Sequence, residues 1–141
     1  MNLRIFTDGG SRGNPGPSAS GVVLKEIDEE GKVVREIERI GKFLGDTTNN
    51  QAEYTAIILG LTRAKELGAE MVEMVMDSEL AVKQLNGVYK VKDAGIAKRF
   101  LEIHNLKSAF RRVTFRHVRR EFNKEADAVV NEVLDKEVGK R

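Results

Sequence analysis

Ile5-Phe6-Thr7-Asp8-Gly9-Gly10-Ser11-Arg12-Gly13-Asn14-Pro15-Gly16-Pro17 decides how the rest of the chain is read. An apolar, β-prone run meets a carboxylate, and four glycines and two prolines follow, which is turn chemistry rather than a continuing strand. Asp8 is therefore expected at a strand end. Met74-Val75-Met76-Asp77-Ser78 repeats the arrangement, with a helical pattern after it. Two carboxylates at the ends of two strands form a candidate metal site if those strands are neighbours in one sheet.

Working outward, residues 2–8, 19–27 and 33–40 read as strands, the last two joined by the polar turn Asp28-Glu29-Glu30-Gly31-Lys32. They form an expected antiparallel meander. Thr48, followed three residues later by Gln51, is a capping box that starts a helix running to Gly68 and puts Glu53 in its second turn. A strand follows over 71–76, then a short helix capped by Ser78 and ending at Asn86-Gly87. Asp93 caps a further helix, 113–118 is a fifth strand, and Asn123 caps a terminal helix bearing Asp127.

The order βββαβααβα is that of an α/β protein with a five-stranded mixed sheet. The fourth strand reaches the sheet through a crossover helix, so it should lie parallel to the first. Ligands in such sheets bind beyond the carboxyl ends of parallel strands, where Asp8 and Asp77 both fall. Glu53 and Asp127, each near a helix start, can join them.

At 141 residues and 40% hydrophobic content, the chain is read as a single domain, 1–141, with the order of 137–141 left open. Strand character begins almost at Met1, which leaves no room for a secretory leader, and no apolar run reaches spanning length, so the expectation is a cytoplasmic protein without a membrane role. The absence of cysteine excludes disulfides and thiolate metal sites. Residues 83–120 carry eleven Lys or Arg against Asp93 and Glu102, a local balance of +9, which leaves −7 for the rest of a chain whose net charge is +2. An acidic centre beside a basic surface suits a phosphate polymer. Four carboxylates brought together either bind hard divalent ions or have raised pKa values. Oxygen donors favour Mg2+, with Mn2+ as a substitute, and two such ions promote in-line attack at phosphorus.

These residues resemble type 1 ribonuclease H, in its short single-domain form similar to archaeal-type members. Thr7-Asp8-Gly9 with Gly13-Asn14-Pro15-Gly16, Thr47-Thr48-Asn49-Asn50-Gln51-Ala52-Glu53, Asp77-Ser78, and Asn123 with Ala126-Asp127 occur in that family's order and spacing. The resemblance implies a ribonuclease H-like fold and metal-dependent endonucleolytic cleavage of the RNA strand of RNA/DNA hybrids, leaving 5′-phosphate and 3′-hydroxyl ends. It implies that Asp8, Glu53, Asp77 and Asp127 hold two metal ions, and that Asn14, Asn49, Asn50 and Gln51 sense the minor groove, where 2′-hydroxyls separate RNA from DNA. Thr48 matches a contact to a DNA-strand phosphate. Backbone amides from Gly9 and Gly10 to Ser11 and Arg12, and the helix start Ser78-Glu79, match contacts to the RNA strand.

Three departures from the family stand out. Where many bacterial members have a His that helps product leave, ungapped counting from Asp127 gives His117, which lies in a strand, and the short loop after it offers Arg120 or Glu121 instead. The chain has no Trp, so the gripping segment is reduced to Lys90, Lys92, Lys98 and Arg99. No separate hybrid-binding domain is expected, and a monomer is the default. Two alternatives remain at this level: a non-catalytic module that binds RNA/DNA or double-stranded RNA, and a related carboxylate exonuclease or resolvase.

Overall fold

The computed structural model describes residues 1–139. Its elements are β1 (Asn2–Ser11), β2 (Gly16–Ile27), β3 (Val33–Thr47), α1 (Asn49–Glu66), β4 (Met71–Met76), α2 (Glu79–Leu85), α3 (Ala94–Lys107), β5 (Arg112–His117), a single 3-10 turn (Arg120–Phe122) and α4 (Lys124–Val138). The five strands form one sheet in the order β3-β2-β1-β4-β5. As expected, β1 to β3 are an antiparallel meander, and β4 lies parallel to β1.

The helix starts follow from their caps. Thr48 Oγ1 accepts from the Gln51 amide, Ser78 Oγ from Ala81 and Asp93 Oδ1 from Ile96. The capping box at Thr48 is only half formed. The Gln51 side chain does not return to Thr48 but accepts from Arg99 Nε at 3.4 Å, which ties α1 to α3. Gly68 closes α1 at φ +73°, a conformation that suits glycine.

Alternation along β1 divides the molecule into two layers of core. Leu3 and Ile5 face α1 and join Ile57, Leu61, Met74 and Ile103 in the main cluster, all at most 1% exposed. On the other face, Phe6 packs with Val23, Ala126 and Val129 beneath α4. Asp8 has the parity of Phe6 and so lies on the α4 side.

The first correction concerns Asp8. The strand does not end there but continues through Gly9 and Gly10 to Ser11, paired residue for residue with Ser18–Gly21 of β2. Gly9, read as a turn former, serves packing instead, while Gly13 keeps a turn role at φ +86°. A Cβ on Gly9 would stand 2.2 Å from the Ala52 carbonyl carbon and 2.3 Å from the Glu53 nitrogen, so only glycine lets the first turn of α1 rest on β1. Longer hairpin arms likewise carry β2 back to Gly16 and β3 on to Thr47. What ends after Phe6 is the parallel ladder to β4, and Asp8 lies beyond that.

Further corrections fall near the C-terminus. Val118 lies outside β5, and the Asn123 side chain makes no cap on α4. The open question about 137–141 is answered for Glu137 and Val138, which continue α4, whereas residues 140–141 lie outside the described residues.

Gly9→Ala should cost at least about 2 kcal/mol in urea unfolding, because the clash is with backbone that no rotamer change relieves. Gly10→Ala, whose new methyl would meet only Val130 Cγ1 at 3.5 Å, should stay within about 1 kcal/mol of the parent.

Candidate active site

The parallel register brings the first two carboxylates together. Asn2 pairs with Met71 and Phe6 with Val75, a constant offset that sets Asp8 opposite Asp77, one pleat beyond the last shared rung. The close approach at Gly9 then delivers Glu53 from the second turn of α1. Asp127, in the first turn of α4, arrives from the opposite layer. All four acids line one cavity of about 190 Å3, with Gly9, Gly10, Ser11, Asn49, Arg120 and Asn131 around them and Val130 and Leu134 along one wall.

Proximity and burial leave an electrostatic mark. Asp8 is pushed up to about 8, first by burial and then by the neighbouring charges of Asp77 and Asp127, with a hydrogen bond to Asp127 adding to the effect. Glu53 is pushed up to about 7. Burial is the main cause, the Ser78 hydroxyl opposes it, Asp77 adds to it and Arg120 draws it back. Glu53 Oε2 is buried with no hydrogen-bond partner, so an acceptor waits at the cavity wall. An all-oxygen donor set with one orphaned carboxylate oxygen fits a hard divalent cation. Among the described residues, no three His, Asp or Glu side chains stand close enough together, as they are placed, to hold one metal ion.

The three candidates for the auxiliary position separate clearly. Arg120 lines the cavity, whereas His117 is exposed at the end of β5, with its charge felt by Glu79, and Glu121 is engaged by Arg119 at 3.2 Å. Of the three, Arg120 is the one that the fold places at the cavity, whereas β5 carries the His117 imidazole away from the acids.

The expected substrate residues divide between open and occupied groups. Asn49 lines the cavity while its Oδ1 accepts from the Ser11 amide at 2.7 Å, and Asn14 Oδ1 accepts from the Asn49 amide at 3.0 Å. Asn50 makes no side-chain hydrogen bond among the described residues, while Thr48 and Gln51 serve the cap and α3. Ser78 caps α2, and Glu79 pairs with Lys83 at 2.9 Å. Lys90 and Lys92 lie exposed between α2 and α3, free of ion pairs among the described residues. A correction applies at the end of β1. The amides of Ser11 and Arg12 are already bonded, to Asn49 and to the Pro17 carbonyl, so they are not the free donors expected there.

Two residues take parts that the sequence reading did not give them: Asn123 was read only as a cap and motif residue, and Asn131 was not singled out. Asn123, 1% exposed, donates from Nδ2 to the Thr7 carbonyl at 2.9 Å and to Asp77 Oδ2 at 3.5 Å, which ties the root of α4 to both acid-bearing strands. Asn131 donates to Asp127 Oδ2 at 3.2 Å; its spacing of four from Asp127 was the available signal.

A sheet of order β3-β2-β1-β4-β5 with acids gathered beyond its parallel strands defines the ribonuclease H-like class. The model of the reverse transcriptase-like family matches residues 6–133, and the chain belongs to that family, within it to the type 1 ribonucleases H. A bifunctional protein of Mycobacterium tuberculosis is 39% identical over 135 residues, covering 96% of this chain and 36% of its own length. Ribonuclease HI of Halobacterium salinarum is 40% identical over 133 residues, covering 94% and 64%. The chain thus spans between about a third and two thirds of the curated relatives it matches. The crystal structure of the Halobacterium enzyme superposes with a TM-score of 0.87 at 37% identity, covering 96% of this chain and 99% of that one. LC11-RNase H1, isolated from compost and solved with an RNA/DNA hybrid, gives 0.84 at 42% identity, covering 95% and 97%.

The raised pKa values carry a sign. Between the ordinary carboxylate range and about 7 to 8, the native state holds protons on Glu53 and Asp8 that the unfolded chain has lost. That contribution to stability is complete below about pH 4 and disappears as pH rises through those values. In chelator, unfolding free energy should therefore gain from Asp8→Asn at pH 8 by at least about 1.4 kcal/mol, one pKa unit's worth, and much less at pH 4.

Proposed function

We propose that the chain is a metal-dependent endonuclease that hydrolyses the RNA strand of RNA/DNA hybrids. The observation that carries this is the convergence of Asp8, Glu53, Asp77 and Asp127 on one cavity, in a chain of the type 1 ribonuclease H family. The hybrid complex of LC11-RNase H1 supports the substrate class.

In this reading Asp8, Asp77, Glu53 and Asp127 hold two Mg2+ ions, with Mn2+ able to replace them. Such ions supply the charge that acidifies a water and neutralises the phosphate in an in-line displacement. The protein's own part is mainly electrostatic. Burial and like charge keep Asp8 and Glu53 poised to give up protons near neutrality as a cation enters. Asn123 and Asn131 hold Asp77 and Asp127 in place, and Arg120 brings a positive charge to the mouth, where a phosphate would sit. Asn14, Asn49, Asn50 and Gln51 face the minor groove. Lys90, Lys92 and Lys98 bind the polymer's backbone. The products are 5′-phosphate and 3′-hydroxyl ends, and the protein acts as a monomer in the cytoplasm.

Asp8→Asn and Asp77→Asn should each lower hydrolysis of a labelled hybrid at least about 10³-fold, the equivalent of roughly 4 kcal/mol in barrier, with hybrid binding retained. Internal fragments with 5′-phosphates should appear from the parent protein in Mg2+ or Mn2+, and none from RNA/RNA or DNA/DNA. Shortening from one end only, or tight binding without cleavage, would overturn the reading in favour of an exonuclease or a binding module.

Hybrid affinity should also fall steeply with salt, linearly on logarithmic axes, because seven of the eleven cations in 83–120 make no ion pair among the described residues. Affinity titrations at several ionic strengths check this, and Lys90→Ala with Lys92→Ala should flatten the slope.

A further inference from the structure

The family pattern gives Arg12 only a backbone-amide contact and leaves its side chain without a role; that side chain is turned into the protein. The guanidinium reaches from the end of β1 to the last turns of α4, donating to Asp135 Oδ1 at 2.5 Å and to the Gly139 carbonyl at 2.6 Å. The side chain is only 15% exposed. At the other end of the same two elements, Asn123 is fastened to Thr7.

Strand and helix are thus joined twice, and the two spans match. From Thr7 to Arg12 is five residues of extended chain, about 17 Å. From Asn123 to Asp135 is twelve residues, about 18 Å of helix. Between the joints lie Asp8, about 3 Å along from the first, and Asp127, about 6 Å along. Those two carboxylates, which meet in the cavity, are therefore set at nearly one level by fixings outside it.

We propose that Arg12 is a positioning residue: through Asp135 and Gly139 it clasps the C-terminal half of α4 to the end of β1 and thereby sets the register of Asp127 against Asp8. It touches no reacting atom. The Arg12 guanidinium has no other acceptor among the described residues, and Nε is buried without one, so the side chain is committed to this clasp. Asn123 fixes the start of α4 and the apolar packing of Val130 and Leu134, which line the cavity, seats its middle; the clasp adds the polar fixing at the far end. The proposal rests on the nuclease reading for its effect on rate, but the clasp itself is a property of the fold.

The test is Arg12→Met, which keeps the stem and removes the charge, beside Asp135→Asn and the exchanged pair Arg12→Asp with Asp135→Arg. With hybrid substrate, kcat should fall about tenfold in the single variants while KM changes little, and the exchanged pair should recover part of the loss. Without substrate, amide hydrogens in the last two turns of α4 should exchange faster in Arg12→Met, and calorimetric titration with Mn2+ should show weaker binding. A rise in KM at constant kcat would make Arg12 a substrate contact and overturn the proposal. Loss of thermal stability alone, with kcat and Mn2+ affinity unchanged, would also overturn it. If the parent protein does not cleave hybrids, the functional reading fails, and exchange and Mn2+ binding still judge the clasp.

Discussion

The close seating of α1 on β1 at Gly9 is the contact on which the arrangement of acids depends. A helix packed on a sheet ordinarily stands off by the thickness of a side chain, but here the backbone of Ala52 and Glu53 comes so near that a single methyl at Gly9 would occupy the same space. That closeness has two effects. It buries the start of α1 against the strand, where Ser20 Oγ donates to the Ala52 carbonyl at 2.6 Å and satisfies a group that packing would otherwise strand. It also brings Glu53 over the point where β1 and β4 part company, within the field of Asp77. The four acids become neighbours because two layers of structure, α1 above and α4 below, meet across a strand that continues past its parallel partner.

Burial then gives these acids their chemistry. A carboxylate in water has no reason to hold a proton near neutrality, whereas Asp8 and Glu53 do because the fold withholds solvent and supplies like charge. The fold concentrates this cost at one place, the cavity that the four acids line. The supporting hydrogen bonds are arranged to the same end: Asn123 and Asn131 each donate to a different acid, and neither is itself a carboxylate that would add to the repulsion. Among the described residues Arg120 is the one guanidinium at the cavity, and its attraction moderates the shift of Glu53 without a salt bridge closing the site.

Beyond the cavity, charge is distributed by a different rule. Arg4 and Arg116 flank Glu73 across β1, β4 and β5, a sheet-surface network in which one carboxylate is shared by two guanidinium groups. Among the described residues, the cations between α2 and β5 are mostly without acid partners and so keep their field available to a polyanion. A net charge of +2 conceals this division. The Arg12 guanidinium belongs to the first kind, since it is paired with α4 and has no charge left to offer outside.

Much of the molecule was legible before any coordinates. Alternation in β1, the caps at Thr48, Ser78 and Asp93, and the crossover that makes β4 parallel to β1 are local or topological consequences of residue type, and they hold. The four acids were also picked out, because helix starts can be read from sequence and the motif spacings resemble a family's, even though the strand end expected at Asp8 lies three residues further on. What the tertiary structure alone decided are the pairings between residues far apart in the chain. Gly9 belongs to a strand rather than a turn because of what α1 brings against it. Asn123 abandons its cap for Thr7, more than a hundred residues away, Arg12 turns inward to Asp135, and His117 leaves the site because β5 carries it outward. Local sequence sets what each residue prefers with its near neighbours; these choices were made by partners that only folding brings within a few ångströms.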